Sequence, residues 1–213
     1  MTSDQIATLL APYLSFPPLA TLYGQLSQYL DLLLKWNART NLTAIRDPEE
    51  IIRRHFGESL FAAQHIGPCA TLLDFGSGAG FPGLPIALVR PEIAVTLAES
   101  QNKKATFLRE VVRTLGLPTE VWAARAETMP VARSFDIVAL RAVDDMEVAL
   151  PAAMARIKPG GQLALLTTRN YSYAQPYGRS IPLPNSQSGI LYMEDVPRGT
   201  LLGADGSQSK AKE

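Results

Sequence analysis

The sequence predicts an α/β protein: a parallel sheet covered by helices on both faces, preceded by a helical extension. Three observations lead there. From Thr71 onward, short β-rich runs alternate with helical stretches, a rhythm that buries a parallel sheet between layers of helix. Glycines stand at alternate positions, Gly76, Gly78 and Gly80, directly after the first such run. In an open α/β sheet that first turn borders the ligand crevice. Ahead of both, the first 65 residues place apolar side chains at helical spacing.

The extension (1–66) reads as two well-marked helices. In "LATLYGQLSQYLDLLLKWN", Leu19, Leu22, Leu26, Tyr29, Leu30, Leu33 and Leu34 make one apolar stripe. A second helix opens at Asp47, with Pro48 at its first position and Glu50 three residues after the cap. Its apolar members Ile51, Ile52, His55, Phe56, Leu60 and Ala63 leave Arg53, Arg54 and Glu58 on the expected solvent side. The domain that follows (67–202) has strand-like runs "TLLDF", "IAVTLAE", "TEVWAA", "FDIVAL" and "GQLALLTT". Between the second and third lies "NKKATFLREVVRTLG", with Phe107, Leu108, Val111, Val112 and Leu115 on one side and Gly116 as its stop. "KPGG" at 158–161 predicts a tight turn, and "RSIPLP" with "GILYMED" predicts a hairpin. The tail, 203–213, is small and polar and is expected to be disordered.

Formal charge balances at zero over 213 residues, so net charge neither demands nor excludes a nucleic-acid partner. Two local concentrations of cations stand out. Lys35, Arg39, Arg46, Arg53 and Arg54 outnumber the acids between Lys35 and His55, and Lys103, Lys104, Arg109 and Arg113 are opposed only by Glu110. A single cysteine, Cys69, excludes an internal disulfide, and no run is long and apolar enough to span a bilayer. A cytoplasmic protein without a membrane partner is expected. The spacing of His55, His65 and Cys69 fits no metal-ligand motif, so no metal is assigned.

The glycine turn, "DFGSGAGFPG", admits two familiar readings and fails both. A dinucleotide fingerprint needs a third glycine where Phe81 stands, and a phosphate-binding Walker loop needs a Gly-Lys-Ser/Thr that is missing. What remains is Asp-x-Gly-x-Gly-x-Gly with an acid, Glu99, closing the next strand. This resembles class I S-adenosylmethionine-dependent methyltransferases, whose sheet is Rossmann-like. There the glycines admit the methionine part of the cofactor and the acid accepts both ribose hydroxyls. Asp74, Gly76, Gly78, Gly80, Phe81 and Glu99 are the resulting cofactor-binding candidates. "RAE" at 125–127 follows the third strand, where Ala126 and Glu127 can read an adenine edge, and Arg141 closes the fourth strand at the cleft.

The stretches "LLKWNARTNLTAIRDPEEIIRRH", "LLDFGSGAGFPGLPIALVRPE", "NKKATFLREV", "RAE" and "FDIVALRA", in this order, resemble the small-subunit ribosomal RNA methyltransferase G family, also called glucose-inhibited division protein B. The resemblance covers about residues 20–168. It implies methylation of guanine N7 in 16S ribosomal RNA, with S-adenosylmethionine as cofactor and the free RNA or the 30S subunit as partner. Gly76, Phe81, Ala126, Glu127 and Arg141 match the family's cofactor positions. The extension matches an RNA-facing element, with Arg39, Asn41, Arg46, Arg53, Arg54 and His55 as candidate contacts. Two departures are visible: "HFGES" where the family continues His-Ile-Leu-Asp-Ser, and "LLTTRNYSYAQPYG" where it shows Leu-Lys-Gly and a helix.

Guanine N7 carries a lone pair and no proton, so attack on a sulfonium methyl needs alignment rather than a general base, and no catalytic acid or base is assigned. Alignment alone contributes roughly 7–11 kcal/mol to such reactions. A monomer is expected. Two other readings remain open from the residues: a small-molecule methyltransferase on the same fold, and a paralogue that binds the cofactor without modifying RNA.

Overall fold

The computed structural model describes residues 1–15, 17–142, 145–170 and 178–199. The tail expected to be disordered and residues 171–177 of the divergent stretch lie outside them.

The extension begins with α1 (Ser3–Leu10), closed at its start by Thr2 and Gln5, which cap each other reciprocally. The long α2 (Leu22–Thr40) buries Leu22, Leu26, Tyr29, Leu30 and Leu33 along the expected stripe. Leu19 falls outside it: the helix starts three residues later, and Leu19 is 67 % exposed. Asn41 ends α2 in the left-handed region, φ 38°, a conformation that asparagine tolerates better than most residues.

The second predicted helix is a composite. Asp47 accepts from the Glu50 N–H at 2.8 Å and opens α3 (Pro48–Glu50). A seven-residue π-helical stretch, Ile51–Gly57, follows and passes into α4 (Glu58–His65). Such wide turns are rare and concentrate at functional sites. Sequence spacing puts Glu58 with Arg53 and Arg54 in solvent, and the structure corrects that. α4 is enclosed by α5 (Gly83–Val89), β5 (Ile157–Thr168) and the short turn Ala11–Tyr13, so it has no solvent face there, and Glu58 is buried. Gly57 is required in the same crowded place, because a Cβ would lie 2.7 Å from the Tyr13 ring.

The sheet has seven strands in the order β3-β2-β1-β4-β5-β7-β6. These are β1 (Thr71–Phe75), β2 (Ala94–Ala98), β3 (Glu120–Trp122), β4 (Phe135–Arg141), β5 (Ile157–Thr168), β6 (Gly178–Pro182) and β7 (Gly189–Asp195). β1 through β5 are parallel, and β7 runs antiparallel between β5 and β6; β6 and β7 form the predicted hairpin. Helices α5 (Gly83–Val89), α6 (Asn102–Leu115) and α7 (Met146–Met154) complete the layers. α6 buries Phe107, Leu108, Val111 and Leu115 and stops at Gly116, φ 64°, as its sequence predicts. "KPGG" does not form a free turn. It lies inside β5 as an irregularity, where the pairing slips between Phe135 and Ile137, and Gly161 accepts from the Val196 N–H at 2.8 Å.

One apolar core runs from Ile6 in the extension through Leu33, Phe56 and Leu72 to Met193 in β7. The extension therefore packs on the sheet rather than projecting from it. Each fully buried leucine along this seam stabilises the union by roughly 1.5–3 kcal/mol.

Candidate functional site

The chain leaves β1 at one side of the sheet and returns through β4 at the other, so the strand order reverses between them. Ligands in open α/β sheets sit in the crevice beyond the strands' carboxyl ends at that reversal. A cleft of about 890 Å³ occupies this place. Its walls come from the ends of β1 (Phe75–Ala79), β2 (Ala98, Glu99), β3 (Ala124–Glu127) and β4 (Arg141, Ala142), and from loop 41–45 of the extension.

The glycine turn is held rigidly from behind. The Ser77 hydroxyl donates to the Asp74 carbonyl at 2.9 Å, and the Ser77 N–H donates to Ala98 O at 2.9 Å. Tyr29 of α2 donates its hydroxyl to the Ala79 carbonyl. Gly76, Gly78 and Gly80 all adopt positive φ, conformations that a side chain would strain. They divide by role. Gly76 and Gly78 line the cleft, and a Cβ on Gly78 would have nothing nearer than 3.9 Å. Gly80 does not line it: a Cβ there would lie 2.4 Å from Leu84 and 2.5 Å from the Tyr29 hydroxyl. Asp74 is likewise behind the cleft, fully buried, accepting from the Gly83 N–H at 3.0 Å. Burial, against the opposing pull of that bond, raises its carboxyl to about 7.

Glu99 is fixed by two backbone donors, Gly78 N–H to Oε2 at 2.9 Å and Gln101 N–H to Oε1 at 2.7 Å. Each oxygen keeps a lone pair for a hydroxyl of a ligand. Ala126 and Glu127 line the far end of the cleft on a 3-10 turn, steadied by Trp122 Nε1, which donates to Arg125 O at 3.2 Å. Phe81 stacks between Tyr29 and His55, with ring centroids 5.4 and 4.9 Å away, which explains the bulky residue where a dinucleotide site has glycine.

The extension's candidates separate as well. Asn41, Arg54 and His55 line the cleft itself. Arg46 is tied down locally, donating to Asn37 O at 3.0 Å and Asn41 Oδ1 at 2.8 Å, whereas Arg39 is exposed. Arg53 pairs with Glu49 at 2.8 Å. Asn37 clasps the loop by exchanging hydrogen bonds with the Thr43 backbone, and the Thr43 hydroxyl meets His55 Nε2 at 2.7 Å. Burial, with Arg141 and Arg54 nearby, lowers the His55 imidazole to about 3.

Beyond His55 lies a second cleft of about 390 Å³ at the ends of β4 and β5, sharing Ile45, Arg54, His55, Arg141 and Ala142 with the first. Arg141 stands between the two, donating from Nη2 to Glu58 Oε2 at 2.8 Å. Sequence reasoning missed Glu58, Asn37 and Thr43. The signal was an acid inside an otherwise apolar helix ("HFGESLFAA") and the polar run "NARTNLT" spanning a helix end.

The reversed strand order, the glycine turn and the acid at the end of β2 define the Rossmann-like fold of S-adenosylmethionine-dependent methyltransferases. Solved structures share it. The T. thermophilus 16S rRNA N2 methyltransferase RsmC, in complex with AdoMet and guanosine, superposes with TM-score 0.55 at 19 % identity over 65 % of this chain and 43 % of that one. M. jannaschii TYW2 with AdoMet gives 0.52 at 14 % identity over 66 % and 74 %. Residues 22–174 match the family described as GidB, rRNA small subunit methyltransferase G, and the chain belongs to that family. Among curated relatives, ribosomal RNA small subunit methyltransferase G of Xanthomonas campestris is 42 % identical over 139 residues, 65 % of each chain. Its Nitrosomonas europaea counterpart is 46 % identical over 128 residues, 59 % of each chain. That of Anaeromyxobacter is 37 % identical over 165 residues, 76 % of this chain and 77 % of the relative. The chain thus spans just under two thirds of the length of the first of these relatives.

Proposed function

We propose that this protein transfers a methyl group from S-adenosylmethionine to guanine N7 in 16S ribosomal RNA, acting as a cytoplasmic monomer on the RNA or the 30S subunit. The family supports the substrate. One structural observation supports the acceptor atom: where the two clefts meet, no described group is suited to remove a proton.

The residues present fit the cofactor. Gly78 leaves open space in the wall, Glu99 offers preset acceptors for ribose hydroxyls, and Ala126 with Glu127 offers an edge for adenine. Arg141 Nη1 is buried without a partner among the described residues, a donor suited to the methionine carboxylate. When bound, S-adenosylmethionine supplies a methyl group on a cationic sulfur.

His55, at the junction, is lowered to about 3, far too weak a base at neutral pH. Glu58 is engaged with Arg141, and Asp74 is behind the cleft wall. An acceptor that must lose a proton, such as an exocyclic amine, would find no help here. Guanine N7 needs none. The neutral imidazole, stacked on Phe81 and bonded to Thr43, holds shape at the boundary without adding positive charge near a base that becomes cationic.

The experiment is tritiated methyl transfer to unmodified 16S RNA and 30S subunits, followed by borohydride reduction and aniline cleavage. A 7-methylguanosine product gives one cofactor-dependent cut at a guanosine. Label without such a cut overturns the N7 assignment. No label in either RNA, with S-adenosylmethionine still bound, supports a paralogue that has lost RNA methylation.

A further inference from the structure

We propose that the unpaired cations of α2 and α6 form the surface that grips the RNA phosphates, in place of the arginine pair at 53–54 that the sequence puts forward. This rests on the rRNA reading above. Arg53 is neutralised by Glu49 at 2.8 Å, and Arg54 lies 3.8 Å from both Glu50 and Glu58. Among the described residues, Arg90, Arg133 and Lys158 are also ion-paired. By contrast, Lys35, Arg39, Lys103, Lys104, Arg109 and Arg113 have neither an ion pair nor a side-chain hydrogen bond among those residues.

The helices that carry these cations, α2 and α6, pack directly against each other. Trp36 Nε1 donates to Glu110 Oε2 at 2.9 Å, and the Trp36 ring lies 5.8 Å from Phe107. Glu110 is the only acid of α6, and this bond engages one of its oxygens. Helical spacing fixes the rest. Lys35 and Arg39 flank Trp36 on exposed positions of α2; Lys103 lies two turns before Glu110 on the same side of α6, and Arg113 one turn after it. Asp31, the acid one turn before Lys35, forms no ion pair with it. Lys104 lines the cofactor cleft, so the positive surface continues to the cleft itself.

The chemistry favours an RNA backbone over a lipid surface. Membrane-surface helices present an apolar face beside their cations. Here both helices spend their apolar faces in the core, and among the described residues the exposed large hydrophobics, Leu19, Val131 and Val148, belong to neither helix. Phosphates are held by such a surface through charge and counterion release, which makes binding steeply salt-dependent.

The test is the slope of log affinity against log salt for the full chain with unmodified 16S transcript. The variant K35Q/R39Q/K103Q/R113Q should lower that slope by about 3, at roughly 0.7–0.9 per phosphate contact. R53A/R54A should change it by less than about 1. S-adenosylmethionine affinity, read by calorimetry, should be the same in the quadruple variant and the native chain. A slope unchanged in the quadruple variant overturns the proposal, as does a native chain that binds the transcript without salt dependence. Loss of binding to phosphatidylglycerol vesicles with the RNA slope intact assigns the surface to a membrane and overturns it too. Methyl transfer by the native chain is measured in parallel: label entering RNA while the quadruple variant keeps its slope refutes the surface and leaves the function standing. A slope that falls as expected with no label entering refutes the function and leaves the surface standing.

Discussion

Arg141, the last residue of β4, donates from Nη2 to Glu58 Oε2 at 2.8 Å and to the Arg54 carbonyl at 2.7 Å. The side chains of Arg141 and Glu58 are only 10 % and 8 % exposed. The pair therefore joins the helical extension to the sheet at the point where both clefts meet. Burial pushes the Glu58 carboxyl up, against the pull of Arg141 and Arg54. Removing one partner strands a charge where water cannot compensate it.

Glu58→Gln should accordingly destabilise the fold by about 3–5 kcal/mol, read from urea unfolding. Replacing both partners with apolar residues, Glu58→Leu with Arg141→Met, should recover much of that loss. The double variant should still bind S-adenosylmethionine weakly, because the free Nη1 donor is gone. Recovery of affinity together with stability would make Arg141 a structural residue only.

The glycines of the turn separate experimentally. Gly78→Val points a branched side chain into the open cleft and should abolish calorimetric S-adenosylmethionine binding with a native far-UV spectrum. Gly80→Ala meets Leu84 and the Tyr29 hydroxyl and should lower the melting temperature instead. Equal affinity losses at equal stability would mean that the two glycines share one role.

Tyr29→Phe removes the donor to the Ala79 carbonyl in a buried site. An acceptor left unsatisfied there costs about 1–3 kcal/mol. The same change should weaken cofactor binding, since Ala79 lies on the cleft wall. A variant with native stability and affinity would show that the hydroxyl bond is dispensable.

Asp74 and His55 contribute pH dependences of opposite sign. Asp74, raised from 3.8 to about 7, keeps its proton in the fold and loses it in the unfolded chain, so its contribution to stability falls as pH rises through that window. His55, lowered from 6.5 to about 3, is neutral in the fold and charged when unfolded, so its contribution grows as pH rises. Each changes stability by roughly 1.4 kcal/mol per pH unit. Between about pH 4 and 6.5 they nearly cancel. Asp74→Asn should therefore give a curve rising with pH across that range, and His55→Asn one that falls. Unfolding curves of either variant that parallel the native chain would refute the assignment.

Much of this architecture was legible because its cues are local. The stripe of α2, the Asp47 cap, the Gly116 stop and the strand-like runs follow from periodicity and backbone preference. The glycine turn with Glu99 was legible for the same reason: positive φ and a strand-end acid are written in consecutive residues. What escaped depends on contacts between distant segments. Glu58 falls one helical turn after Arg54, on the side the sequence gives to solvent, and only the enclosure of α4 shows it facing Arg141. Gly80 and Asp74 share a motif with Gly78, yet packing against Leu84 and Gly83 puts them behind the wall. The bulge at Gly161 depends on its pairing with Val196 across the sheet.

The loop that follows α2 forms one wall of the cleft and is latched by Asn37, Thr43 and His55. Its consequence concerns modularity. An appendage that only recruited RNA could be exchanged between relatives without touching the chemistry, like a handle on a tool. Here the handle is part of the blade's edge: a graft that brought a foreign front end would have to bring its own counterparts of Asn37, Thr43, His55 and Glu58. The extension and the cleft wall are therefore one structural unit, and a change in either must be accommodated by the other.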